Sequence, residues 1–241
     1  MNSEEYERMY RLEDTYWWFV GRHNLVLTLL RNAYPAHGRL AILDVGCGTG
    51  AMSQKLASFG TVVSADFSPL ALAFSRRRGI TRLVASDAVR LPFRDACFDV
   101  VIAMDLLEHV EDDQAALCEI RRVLKPGGKL ISTVPAYQSL WSGHDVALMH
   151  FRRYVAAGLR QRVTAAHLRI ERLSYAMTLL FPIVWIVRKL WPGRNNPKAS
   201  LIPVPGFINR MLVSLLAGEN RIIKYVDLPW GVTVLCVAVR P

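Results

Sequence analysis

The segment LDVGCGTG, residues 43–50, constrains this chain more than any other. An apolar run beginning at Leu40 ends in three glycines spaced GxGxG, at Gly46, Gly48 and Gly50. Glycine lets a backbone turn tightly and approach a ligand with no Cβ in the way. A strand that delivers such a loop to the start of a helix is the opening of a βαβ unit. The spacing differs from the GxGxxG of a dinucleotide site. It points to a nucleoside-type ligand and disfavours a dehydrogenase.

Downstream, short apolar runs alternate with helical segments of about ten residues. RLAILDVG, TVVSADF, RLVASD, DVVIAMD and KLISTVP read as strands, with GAMSQKLASFG, SPLALAFSRRRG and EDDQAALCEIRRVL as helices and KPGG as a turn. Such alternation predicts a parallel sheet covered on both faces. LRIERLSY (168–175) and GVTVLCVAV (231–239) add two later strands. The expectation is a single α/β domain of 241 residues, a doubly wound, mostly parallel seven-stranded Rossmann-like sheet. A helical arm would occupy 1–38, the core 39–175, a helical insertion 176–230 and the last strand 231–241. Ligands bind such sheets beyond the carboxyl ends of the strands, so the polar residues at those ends matter most.

Asp44 ends the first strand, Asp66 the second and Asp87 the third. Asp66 follows the glycines by about 20 residues, where a carboxylate accepts hydrogen bonds from ribose hydroxyls. Asp87 can receive an adenine amine. Each could instead cap the following helix, but acids at successive strand ends beside a glycine loop favour a ligand. Together LDVGCGTG, SADFSP, SDAVRLPFRDACFDVVIAMDLLEHV and EIRRVLKPGGKLI, between Leu40 and Pro135, resemble the class I S-adenosylmethionine-dependent methyltransferases of the type 11 group. The resemblance implies S-adenosylmethionine as cofactor, with Asp44, Gly46, Cys47 and Gly48 along its methionine and ribose. It implies Asp66 on the ribose hydroxyls, Phe67 against the adenine, and Asp87 with Ala88 at the adenine edge. Met104 and Asp105 would border the methionine portion and the acceptor. YWWFVGRHNLVLTLL resembles an arm of this group that covers the cofactor. There Arg22 can reach the cofactor carboxylate, while at least two of Trp17, Trp18 and Phe19 are expected in the core.

Methyl transfer from a sulfonium is an in-line displacement, so alignment and exclusion of water supply much of the catalysis. A hydroxyl acceptor also needs a base within hydrogen-bond reach, and histidine is best matched near neutral pH. His109 follows the fourth strand; His144 and His150 follow the fifth, in WSGHDVALMHFRRY. We expect His144 as general base, Asp145 orienting its neighbourhood and Arg153 binding an acidic group of the substrate. His109 and Tyr154 complete the candidate set, and His109 and His150 also fit structural roles. Similar HD…H.RRY patterns occur in relatives of the resembled group. No metal site is expected, because CxxC and HExxH spacings are missing. Glu111, Asp112 and Asp113 read as a solvated first helical turn.

The net charge of +10 is uneven: residues 1–149 carry −1 and residues 150–241 carry +11. That asymmetry predicts an anionic partner for the C-terminal part. The uncharged run Leu173–Val187 would span roughly 22 Å as a helix, short of a hydrocarbon core of about 30 Å, and Pro182 interrupts it. No transmembrane span is expected. GFINRMLVSLLAGEN sets Phe207, Ile208, Met211, Leu212, Leu215 and Leu216 on one helical face. Arg188, Lys189, Arg194, Lys198, Arg210, Arg221 and Lys224, with Trp185 and Trp191, flank these stretches. That pattern fits peripheral association with an anionic membrane; the alternatives are a lid packed on the sheet or a homodimer contact. Aliphatic stretches between the basic residues disfavour a nucleic-acid groove. A charged start at Glu4 and four scattered cysteines (Cys47, Cys97, Cys118, Cys236) predict a cytoplasmic chain, at most peripheral to the inner membrane face. The function expected is O-methylation of a hydrophobic or lipid-linked small molecule at the membrane surface, phosphate-bearing acceptors included. The alternatives are a soluble metabolite or RNA as acceptor, or a non-catalytic cofactor-binding protein.

Overall fold

The computed structural model describes residues 3–35, 38–190 and 203–241. The expectations for Trp191, Arg194 and Lys198 fall outside these residues. Seven strands form one sheet: β1 (Leu40–Val45), β2 (Gly60–Asp66), β3 (Leu83–Ala85), β4 (Phe98–Met104), β5 (Leu124–Pro135), β6 (Arg169–Ala176) and β7 (Thr233–Val239). Their order is β3-β2-β1-β4-β5-β7-β6. The first five pair in parallel, and β7 runs antiparallel to both β5 and β6. The chain order reverses between β1 and β4, where a crevice opens beyond the strand ends. Central strands are buried on both faces, which is why their sequences read as continuous apolar runs. Val100, Val101, Ile102 and Ala103 of β4 are wholly buried, and each buried Val or Ile is worth about 1.5–3 kcal/mol. The expected KPGG turn lies inside β5, where Gly127 takes φ +78° and the register with β4 shifts.

Nine helices flank the sheet among the described residues: α1 (Ser3–Leu12), α2 (Trp17–Ala33), α3 (Ala51–Leu56), α4 (Pro69–Arg77), α5 (Asp113–Val123), α6 (Gly143–Ala147), α7 (Ala156–Ala165), α8 (Phe181–Leu190) and α9 (Gly206–Ile222). Ser68 caps α4 by accepting from Ala71 N at 3.3 Å, with Pro69 at the first helical position. Asp112 caps α5 by accepting from Ala115 N at 2.9 Å. The expectation of a solvated acidic turn fails at Asp113. It is buried, pairs with Arg152 and Arg162, and accepts from the Tyr154 hydroxyl at 2.6 Å.

The N-terminal arm is a pair of helices, and the stretch between β6 and β7 docks onto it. The Arg78 guanidinium holds the arm to α4, meeting Glu13 at 2.7 Å, Asp14 at 2.5 Å and the Tyr10 carbonyl at 2.8 Å. Where α2 crosses α9, a Cβ on Gly21 would lie 2.3 Å from Leu216 Cδ1 and 3.2 Å from Leu216 Cβ, so a larger residue would displace this buried leucine. Trp17 N donates to Asn209 Oδ1 at 2.8 Å, and Asn220 Nδ2 donates to the Gly21 carbonyl at 3.1 Å. Met177, Leu180, Leu216 and Val232 form a small core here, with Trp17 and Trp18 packed against it. No helix among the described residues is long and apolar enough to cross a membrane.

Candidate active site

A cavity of about 840 Å³ opens beyond the carboxyl ends of β1, β2 and β4, within the size range of sites for small molecules. Asp44, Gly46, Cys47, Gly48, Asp66, Phe67, Asp87, Ala88, Met104 and Arg22 all line it. Gly46, Gly48 and Gly50 take φ values of +72°, +56° and +88°, conformations that disfavour any residue with a Cβ. At Gly46 a Cβ would meet Leu106 Cδ1 at 2.9 Å. Asp66 accepts from Gly48 N at 2.9 Å and Ser68 N at 2.8 Å, so two backbone donors aim its carboxylate. Burial raises its pKa from the usual range, against the backbone N–H bonds that favour the charged form. Phe67 is 76% exposed, an aromatic face turned out on the cavity rim. Burial pushes Asp44 up to about 7, and Ser53 Oγ donates to it at 2.5 Å. Glycine loop, aimed carboxylate and open aromatic face fit a nucleoside with a charged tail.

The arm supplies one wall. Tyr6 and Met9 of α1 and Trp18 and Phe19 of α2 line the cavity, and Thr49 donates to the buried Glu13 carboxylate. Arg22 is buried, paired with Asp105 and 5.6 Å above the Trp18 ring. Its Nε has no hydrogen-bond partner among the described residues. Burial lowers its pKa to about 10, which leaves it charged at neutral pH.

The acceptor end is built from the segments after β4 and β5. His109, His144 and Arg153 line the cavity, whereas Tyr154 does not. The Tyr154 hydroxyl donates to Asp113 and lies 3.1 Å from the Leu107 carbonyl, so its work is structural, behind the wall. Asp145 lies at the N-terminus of α6 and accepts from Ser142 N at 2.9 Å. His150 is among its partners, with Nδ1 lying 2.9 Å from Oδ1. Arg153 Nε donates to Asp145 at 2.7 Å and Nη1 to the Ala136 carbonyl at 2.9 Å. The guanidinium expected to meet substrate is thus engaged in holding Asp145. Against the cost of burial, His150, Arg153 and Arg188 hold the Asp145 carboxyl well below its ordinary range. Burial first, then Arg188, pushes His144 down to about 3, and burial pushes His109 to about 3, so both stand neutral.

Two cavity residues escaped the sequence reading. Glu108 is 1% exposed, lines the cavity and is pushed up to about 8 by burial. Arg188, at the end of α8, reaches inward to the Leu140 carbonyl at 2.7 Å and Asp145 at 3.3 Å. An acid inside the apolar LLEHV and the first charge after a long uncharged run were the available signals.

This glycine-loop crevice, on a sheet ending in an antiparallel β7, has the Rossmann-like fold of the class I methyltransferases. Residues 43–132 match the family described as "Methyltransferase domain". A demethylmenaquinone methyltransferase of Tropheryma whipplei is 40% identical over 129 residues, covering 46% of this chain and 52% of that protein. The chain thus spans about half the length of the curated relative it matches. The methyltransferase bound to the Haloferax volcanii Trm112 activator is 22% identical, with TM-score 0.64 over 99% of this chain and 94% of its own. A Haemonchus contortus phosphoethanolamine N-methyltransferase 2, solved with S-adenosylmethionine, is 20% identical, with TM-score 0.61 over 90% of this chain and 52% of its own. At these identities the two structures share the fold with this chain.

Proposed function

We propose that the chain transfers the methyl group of S-adenosylmethionine to a hydroxyl of a hydrophobic or lipid-linked small molecule held at a membrane surface. The observation that carries the reading is the double face of α8. Arg188 points into the acceptor end of the cavity, while Ile183, Trp185, Ile186 and Leu190 of the same helix are exposed. One helix therefore joins the reaction cavity to an apolar outer surface. On α9, Phe207 and Met211 are likewise exposed, and Arg210 and Arg221 lie among them. Apolar side chains among cationic ones suit an amphiphile in an anionic surface. The Tropheryma relative is named for demethylmenaquinone, which supports the same acceptor class.

When bound, the cofactor supplies an electrophilic methyl group on a sulfonium. Asp66 would hold the ribose hydroxyls, Phe67 and Asp87 the adenine, and Arg22 Nε the carboxylate. The arm and α8 would exclude water from the line of displacement. His144, at the acceptor end of the cavity, would take the hydroxyl proton as the acceptor oxygen attacks. The His144→Ala variant, assayed with labelled cofactor and a membrane-lipid extract, should lose about 10²-fold in turnover. Calorimetry with S-adenosylhomocysteine should show unchanged cofactor affinity. Full turnover in that variant would remove His144 from the mechanism.

A further inference from the structure

We propose that Glu108, His109 and His150 form a site for a divalent first-row transition-metal cation, with zinc the best match, at the acceptor end of the cavity. The three side chains each offer one ligand atom, and these atoms lie within 4.8 Å of one another. Zinc ligands sit at about 2.0–2.2 Å from the metal, so a tetrahedral shell sets them about 3.4 Å apart. Modest side-chain rotations close the difference.

A second observation points to a ligand independently of that proximity. Glu108 is 1% exposed, and its Oε2 has no hydrogen-bond partner among the described residues. A buried carboxylate oxygen with no donor is costly, and a bound cation satisfies it. His150 is already oriented for the role. Its Nδ1 lies 2.9 Å from Asp145 Oδ1, which leaves Nε2 for a ligand. A ring N–H held by a carboxylate fixes the tautomer and aim of a metal-bound imidazole. Asp145 is itself locked by Ser142 N and Arg153 Nε. The rings of His109 and His150 meet edge to face with centroids 4.6 Å apart.

The donor set chooses among cations. Two imidazoles and one carboxylate suit zinc and its neighbours, whereas calcium and magnesium prefer all-oxygen shells. Three protein ligands leave a fourth position open, and all three residues line the cavity. The nearby guanidiniums do not bar a cation, because Arg22 is paired with Asp105, and Arg153 and Arg188 with Asp145. An acceptor oxygen at the open position would be polarised close to His144, whose ring lies 6.4 Å from that of His150. Only this last placement rests on the methyl-transfer reading; metal binding itself does not.

The test is calorimetric titration of the metal-stripped full chain with zinc chloride, followed by the visible absorption of its cobalt-loaded form. The expected result is one saturable equivalent at micromolar affinity or tighter, and a four-coordinate cobalt spectrum. Glu108→Gln and His150→Gln should each weaken zinc binding at least tenfold. S-adenosylhomocysteine binding serves as the check that each variant is folded, and should Glu108→Gln fail it, His109→Gln takes its place. A wild-type chain with no saturable equivalent, or folded variants that bind zinc as the wild type does, would overturn the site. Methyl transfer without zinc binding sinks this proposal alone, and zinc binding without methyl transfer sinks only the proposed reaction.

Discussion

Asp44 is buried at the end of β1, and burial pushes its carboxyl up to about 7. An unfolded aspartate titrates near about 3.9, so between those values the folded chain keeps a proton that the unfolded chain releases. A raised folded-state pKa means stability is fully present below the unfolded value and is lost as pH rises through about 7. The thermal midpoint of the cofactor-free chain should therefore fall between pH 5 and pH 8, and Asp44→Asn should flatten that fall. The expected difference is several degrees, at about 2–4 °C per kcal/mol for a chain of this size. Equal slopes in the two proteins would show that Asp44 does not carry the proton. At this scale, strand position alone brought Asp44, Asp66, Asp87, Gly46 and Gly48 to the cavity wall. Residues whose roles depend on long-range packing were not legible. Asp145 stands beside His144 in sequence yet pairs with His150, because α6 ends at Ala147 and the chain turns back. Tyr154, expected in the acceptor site, and Asp113, expected in a solvated turn, bury one another. Glu108 was marked only by its place inside the apolar LLEHV, and the lack of a partner for its Oε2 among the described residues is visible only in the fold.

Among the elements, the strands were the most legible, since apolar runs buried on both faces leave a strong signal. β3 is only three residues long, yet RLVASD marked its place. What periodicity could not reveal was the partner of each amphipathic helix. The apolar face of α9 divides: Leu216 is buried beside α2, while Phe207 and Met211 stand in the open. The α2–α9 crossing turns on Gly21, whose added Cβ would lie 2.3 Å from Leu216 Cδ1. In an isolated helix Gly→Ala stabilises by about 1 kcal/mol. At this crossing overpacking should reverse the sign, and Gly21→Ala should destabilise by about 1–3 kcal/mol in thermal melts. A raised midpoint would mean that α9 does not pack against α2 as described.

Over the whole molecule, the charge asymmetry in the sequence finds a structural counterpart. Residues 1–149, near neutrality, build the sheet's cofactor end and the arm, while the +11 of residues 150–241 accompanies the exposed apolar side chains of α8 and α9. The proposed reaction requires that surface to meet an amphiphile, and its central claim is that the acceptor arrives from an anionic membrane. Flotation of the purified chain with vesicles containing anionic lipid tests this most directly. At moderate salt the chain should rise with the vesicles, remain below with neutral ones, and be released by Trp185→Asp together with Ile186→Asp, which leave the cavity residues unchanged. A chain that stays at the bottom with anionic vesicles, whether as a monomer or as a dimer closed over the same face, would contradict it.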